Sequence, residues 1–208
     1  MSTTTLPVRP TFPKYRLSPP PLVPGPHRWT VDEFQRVRES GAWEGRKIIL
    51  IDGELVEMAA PKPPHDMSLT LAYYLFARLF GNGHVVRIQM GMEFGINTDP
   101  LPDLAIVPGD PRTMVATPDT AELVLEVSDS SLDYDTGVKA SLYAAAGIAD
   151  YWVIDVVGRR VLVHRIPAAD TTKKYGHGYS SITVLVPGQS IAPLALPQSL
   201  VDAAELLP

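Results

Sequence analysis

The chain has 208 residues, is 45% hydrophobic and carries a formal net charge of -5, which is enough length for one sizeable α/β domain with a real core, or one domain with appendages. It contains no cysteine, which excludes disulfide frameworks, zinc–thiolate sites and cysteine nucleophiles, so any metal would be held by oxygen or imidazole and would best be a hard ion such as magnesium or manganese. The acidic balance opposes broad coating of nucleic acid but leaves room for a local basic groove.

Residues 1–26, "MSTTTLPVRPTFPKYRLSPPPLVPGP", are dense in proline, each of which removes a backbone donor and biases its predecessor toward extended conformations. They read as a polyproline-like arm, and the folded domain as 27–208. No stretch of about 18 apolar residues and no signal-type leader occurs, so a soluble cytoplasmic protein without membrane contact is the expectation.

The domain opens at "HRWTVDEFQRV", where Thr30 and Glu33 have the spacing of a capping box. "RKIILIDGELVEMA" predicts two strands joined by Asp52–Gly53, a two-residue turn suited to a hairpin. From about Asp66 a helix is predicted, with Leu69, Ala72, Tyr73, Phe76, Leu79 and Phe80 on its apolar face and Gly81 as its stop. Strands follow at "HVVRIQMGMEFGI", "DLAIVP" and "ELVLEVS", then a helix over 135–146, then two strands around Val157–Gly158 and a further strand at "YSSITVLVPG". This order predicts an α/β fold with a mixed central sheet flanked by helices.

Several charges sit where such a scaffold should be apolar. Glu126 lies in "LVLEV", a run apolar enough for both faces to be covered, and an unpaired buried carboxylate is costly unless it gains a partner, hydrogen bonds or a metal. Asp103 follows Pro102 at a strand start, from which its carboxylate can reach an open sheet end. Strand alternation puts Glu54 on the face of Val56 and Met58, so it too can look inward. Asp135, Lys139 and Tyr143 are spaced i, i+4, i+8 along one side of a helix, with the lysine stem against apolar surface and its ammonium toward converging carboxylates. Taken singly, each has a plainer reading: Asp103 as a turn residue, Glu54 as a solvated hairpin residue, and Lys139 with Asp135 as a surface ion pair. His65, just before the long helix, can contact phosphate, a neighbouring acid or the helix entry. His84, His164 and His177 lack metal-ligand spacing, and Ser128, Ser130 and Ser131 have no histidine in a recognisable triad motif.

The ordered set "LIDGELVEM", a histidine before a helix, "PDLAIV" and "LVLEVSDSSLDYDTGVKASLYAAAGIADYWVID" resembles the Uma-type restriction endonucleases, a branch of the PD-(D/E)XK nuclease superfamily. The resemblance spans about Trp29 to Leu207. It implies a restriction-endonuclease-like sheet, Asp103 and Glu126 as ligands of Mg2+ or Mn2+, Glu54 as a further acid of the metal site, and Lys139 as the catalytic lysine. His65, Asp135 and Tyr143 would support them. The superfamily pattern has its lysine two residues after the second acid, where this chain has Ser128, so the lysine looks displaced to the next helix. The implied activity is metal-dependent hydrolysis of phosphodiester bonds, with DNA as the expected partner and a homodimer as the expected assembly. A noncatalytic interaction module that keeps the fold is the other class left open.

Overall fold

The structure, a computed structural model, describes residues 24–208, so the proline-rich arm falls almost wholly outside the described residues. Thr30 caps α1 (Val31–Glu39) with the full capping box: its hydroxyl accepts the Glu33 N–H, and the Glu33 carboxylate takes the Thr30 N–H. Two of the free donors of the helix start are thereby satisfied. β1 (Ile48–Ile51) and β2 (Glu54–Glu57) pair antiparallel across Asp52 and Gly53, whose φ angles of 49° and 73° are the two positive values that a tight I′ turn requires. The hairpin is a separate two-stranded sheet, with Leu50 packed against Val31 and Phe34, and Ile49 and Ile51 on Leu142.

α2 (Pro63–Phe80) starts earlier than expected because Pro63 and Pro64 occupy the first helical positions, where a missing N–H breaks no helical bond. Its buried stripe is Leu69, Ala72, Leu75, Phe76 and Phe80, rotated toward Leu75, so that Tyr73 lies at the margin and is 37% exposed. The main sheet contains β3 (His84–Ile88), β4 (Leu104–Pro108), β5 (Leu123–Ser128), β6 (Asp150–Asp155), β7 (Arg160–Ala169) and β8 (His177–Leu185), in that spatial order. All neighbours are antiparallel except β5 and β6. A parallel pair needs a crossover, here a π-helical segment (Tyr134–Lys139) running into α3 (Ala140–Ala145). The expected strand after His84 stops at Ile88, and Gln89 turns away with φ 48°.

Each face of the sheet has its own core. Leu104, Ile106, Leu123, Leu125 and Trp152 meet α2, with Trp152 edge-on to Phe76 at 5.7 Å; Ala105, Val107, Val124, Tyr151 and Val153 meet Ala140 and Tyr143 of the crossover. The C-terminal apolar stretch packs Val201, Ala203, Leu206 and Leu207 into the α2 core; Leu194 and Leu200 stay exposed. Among the described residues no helix is long and apolar enough to cross a membrane.

One buried acid lies in the joint between hairpin and sheet. Asp99 exchanges backbone hydrogen bonds with Leu50 at 2.8 and 3.3 Å, its Oδ2 accepts from Gln35, and its Oδ1 has no hydrogen-bond partner among the described residues. Burial, only partly opposed by Arg38, pushes its pKa up to about 6. The folded value is above the unfolded one of about 3.9, so the fold favours the neutral acid, and stability falls as pH rises between about 4 and 6. Asp99→Asn cannot titrate. It is expected to be more stable than the wild type at pH 7 by on the order of 3 kcal/mol, with the gap closing near pH 4. Thermal melts of both proteins at the two pH values check this, and an equal gap at both would reject it.

Candidate active site

The register of β4 and β5 brings the two strand acids together. Leu104 pairs with Leu125 and Ala105 with Val124, so one step further Asp103 stands opposite Glu126. Alternation puts both on the face covered by the crossover helix, because Ala105, Val107 and Val124 all face that way. Here side chains replace the regular ladder. Val127 N–H donates to Asp103 Oδ2 at 2.9 Å, and Asp103 N–H donates to Glu126 Oε2 at 3.3 Å. Both acids are buried, at 5% and 1% exposure.

The crossover delivers the cation. Lys139 Nζ lies 2.9 Å from Glu126 Oε2 and 3.0 Å from Asp135 Oδ1, the latter an ion contact off the hydrogen-bonding direction. Asp135 Oδ2 is fixed by Ser128 Oγ at 2.9 Å and by Ser131 Oγ. Ser128 therefore orients the acid that stands beside the Lys139 ammonium. The π turn widens the backbone under this cluster: Ala140 N–H reaches the Asp135 carbonyl, which also accepts from Tyr151 Oη at 2.9 Å. One turn on, Tyr143 donates its hydroxyl to Glu126 Oε1 at 2.8 Å.

From the start of α2, His65 Nε2 reaches Asp103 Oδ2 at 3.1 Å. Burial alone would lower the His65 pKa, but the contacts with Asp103 and then Asp66 raise it on balance. The same pairing, helped by Lys139 and the Val127 N–H, outweighs burial and holds Asp103 well below the usual carboxylate range. Glu126 behaves oppositely: burial, reinforced by Asp103 and Asp135 against the pull of Lys139, pushes it up to about 8. Lys139 is disfavoured by burial yet held above its ordinary value by Glu126, Asp135 and Asp103. These last two shifts conflict in part, since Glu126 supports the ammonium only when ionised. The ammonium is the firmer of the two, because Asp135 remains beside it in either state of Glu126. Tyr143 can serve both states, donating to the carboxylate or accepting from the acid.

The donor set suits a hard cation. Asp103 and Glu126 offer carboxylate oxygens only, and with Asp135 they make three acids against the ammonium of Lys139 and the more distant one of Lys47. No group of three or more His, Cys, Asp and Glu among the described residues forms a ready metal cage. Magnesium, which keeps several waters and needs one or two carboxylates, fits such a site better than an ion requiring full protein coordination.

Asp103, Glu126, Lys139, Asp135, Tyr143 and His65 thus converge in one buried network. Glu54 does not join it: the hairpin exposes its carboxylate at the sheet end, where it pairs with Arg28 at 2.8 Å, and no contact with Asp103 or Glu126 occurs among the described residues. Two neighbours of Asp103 Oδ1 carry no motif, Gln89 Nε2 at 3.3 Å and Lys47 Nζ at 3.8 Å. Only the pairing of β3 with β4 and the placing of the hairpin beside the sheet bring them there.

Residues 31–204 match the sequence profile of the Uma2 family, described as "Putative restriction endonuclease". No curated protein is significantly similar to the chain. Among solved structures, that of "a putative nuclease belonging to DUF820" from Anabaena variabilis ATCC 29413 superimposes with a TM-score of 0.65 at 14% identity, over 86% of this chain and 97% of the other. At that identity the likeness is one of fold.

Proposed function

The chain belongs to the Uma2 family, and from that membership we propose that it is a divalent-metal-dependent endonuclease hydrolysing phosphodiester bonds in DNA. The observation that carries the proposal is the opposition of Asp103 and Glu126 on adjoining strands with the Lys139 ammonium 2.9 Å from Glu126. Phosphodiester hydrolysis adds water across a P–O bond and gathers negative charge on the phosphate as it proceeds. Asp103 and Glu126 would hold Mg2+ or Mn2+, which when bound supplies positive charge to the phosphate and lowers the pKa of water. Asp103 is kept ionised by His65 and the Val127 N–H, ready for a cation at any ordinary pH. Lys139 fixes Glu126 and adds a positive charge that needs no reorganisation during reaction. It is too well paired to serve as a base.

Cutting both strands of a duplex calls for two sites, so we propose a homodimer as the acting form. Purified full-length protein should cleave plasmid, linear duplex or single-stranded DNA in magnesium or manganese, lose that cleavage to a chelator, and scatter light as a dimer. Binding without cleavage under any of these metals would point to the noncatalytic module instead. A monomer that nicks would retain the chemistry and remove the dimer.

A further inference from the structure

Lys47, the last residue before β1, is held by the hairpin: its carbonyl accepts the Met58 N–H at 2.8 Å, and Ile49 and Ile51 just after it are buried against Leu142. Its ammonium lies 3.8 Å from Asp103 Oδ1, near enough for attraction but beyond hydrogen-bond length. The side chain is 26% exposed, whereas that of Lys139 is 7% exposed and committed to Glu126 and Asp135. Other cations nearby in sequence or space are also spoken for. Arg46 is bonded twice to Glu57, at 2.9 and 2.6 Å, and Lys62 pairs with Asp129 at 3.0 Å.

The two oxygens of Asp103 are correspondingly unequal. Oδ2 accepts from His65 and from the Val127 N–H at 3.1 and 2.9 Å, while among the described residues Oδ1 has only the Gln89 contact at 3.3 Å and the slack approach of Lys47. Among the described residues Lys47 is therefore the cation beside the acid pair that combines solvent access with uncommitted donors, of which an ammonium has three. Resting on the nuclease reading above, we propose that Lys47 binds a non-bridging oxygen of the phosphate brought to Asp103 and Glu126. The division of labour follows from burial: Lys47 touches the substrate, and Lys139 acts through Glu126.

The test uses full-length protein and a labelled DNA duplex, with single-stranded DNA and RNA as parallel arms. Binding is measured in calcium over a range of salt, and cleavage kinetics in magnesium or manganese. Lys47→Met keeps the aliphatic stem; it should raise KM about tenfold or more and reduce the slope of log binding constant against log salt by about one, as loss of one phosphate contact requires. Lys47→Arg should restore the slope. Thermal melts run alongside separate binding from folding. If Lys47→Met lowers the melting temperature while leaving KM and the salt slope of an active enzyme unchanged, Lys47 is only a structural partner of Asp103 and the proposal is overturned. A wild type that neither binds nor cleaves any of the three nucleic acids removes the nuclease reading itself, and this inference with it.

Discussion

Glu126→Gln is expected to abolish cleavage, by about a thousandfold or more, without lowering the melting temperature. The amide keeps the volume of a side chain that is 1% exposed, and its oxygen still accepts from Tyr143 or the Asp103 N–H. What it removes is a charge that the fold tolerates poorly. With a folded pKa of about 8 against an unfolded value of about 4.3, Glu126 favours its neutral form in the native state. The metal-free wild type therefore loses stability from this group as pH rises between about 4 and 8, and the Gln variant does not. A proton and a cation compete for the same carboxylate, so cleavage by the wild type should climb with pH toward 8, where deprotonation comes cheaply. Calorimetry at pH 5 and 8, beside single-turnover cleavage at saturating manganese, tests both parts. A Gln variant that cleaves at the wild-type rate would remove Glu126 from the chemistry, and one that fails to fold would make its role structural.

How far this site can be read in advance depends on how local its causes are. Asp103 and Glu126 are legible because one is a lone carboxylate at the entry to an apolar strand and the other a lone carboxylate within one, and side-chain alternation already places each with respect to its own sheet face. Their opposition is not, since it depends on a register set by both hydrophobic faces at once. Lys139 is legible as a member of an i, i+4 pair, but its burial is not. On a free helix the pair with Asp135 would be solvated, and only the packing of the crossover on β5 and β6 takes it out of water. The π turn leaves no compositional mark either; it emerges from the fit between the Asp135 carbonyl, Ala140 and Tyr151. Glu54 misleads for the converse reason: alternation ranks faces correctly within a strand, but a hairpin outside the main sheet leaves its turn-proximal end in solvent, where Arg28 meets it. Lys47 looks like any surface lysine until the sheet end is assembled around it.

Lys139→Met should cost both catalysis and stability, and the second loss discriminates most sharply. Were Lys139 and Asp135 an exposed helix pair, the substitution would cost about 0.5 kcal/mol or less. With the side chain 7% exposed and its ammonium between Glu126 and Asp135, removal leaves Asp135, and Glu126 whenever it is ionised, without a counter-charge in a dry site. Breaking a buried pair from one side typically costs about 3–5 kcal/mol, which for a domain of this size is a fall of roughly 6–20 °C in melting temperature. Part of that loss is a proton away from recovery, because Glu126 can neutralise itself; Lys139→Met should therefore be more stable at pH 5 than at pH 8 relative to the wild type. The double variant Lys139→Met/Glu126→Gln carries one fewer stranded charge and should melt above Lys139→Met alone, a non-additivity expected of residues in direct contact. Cleavage, measured at a temperature where the single variant is folded, should fall by about a hundredfold or more through loss of the fixed positive charge. If Lys139→Met melts with the wild type, the ammonium does not hold the carboxylates together. If it melts low yet cleaves at full rate, Lys139 is a structural cation and the charge that the phosphate meets comes from elsewhere, with Lys47 the residue placed to supply it.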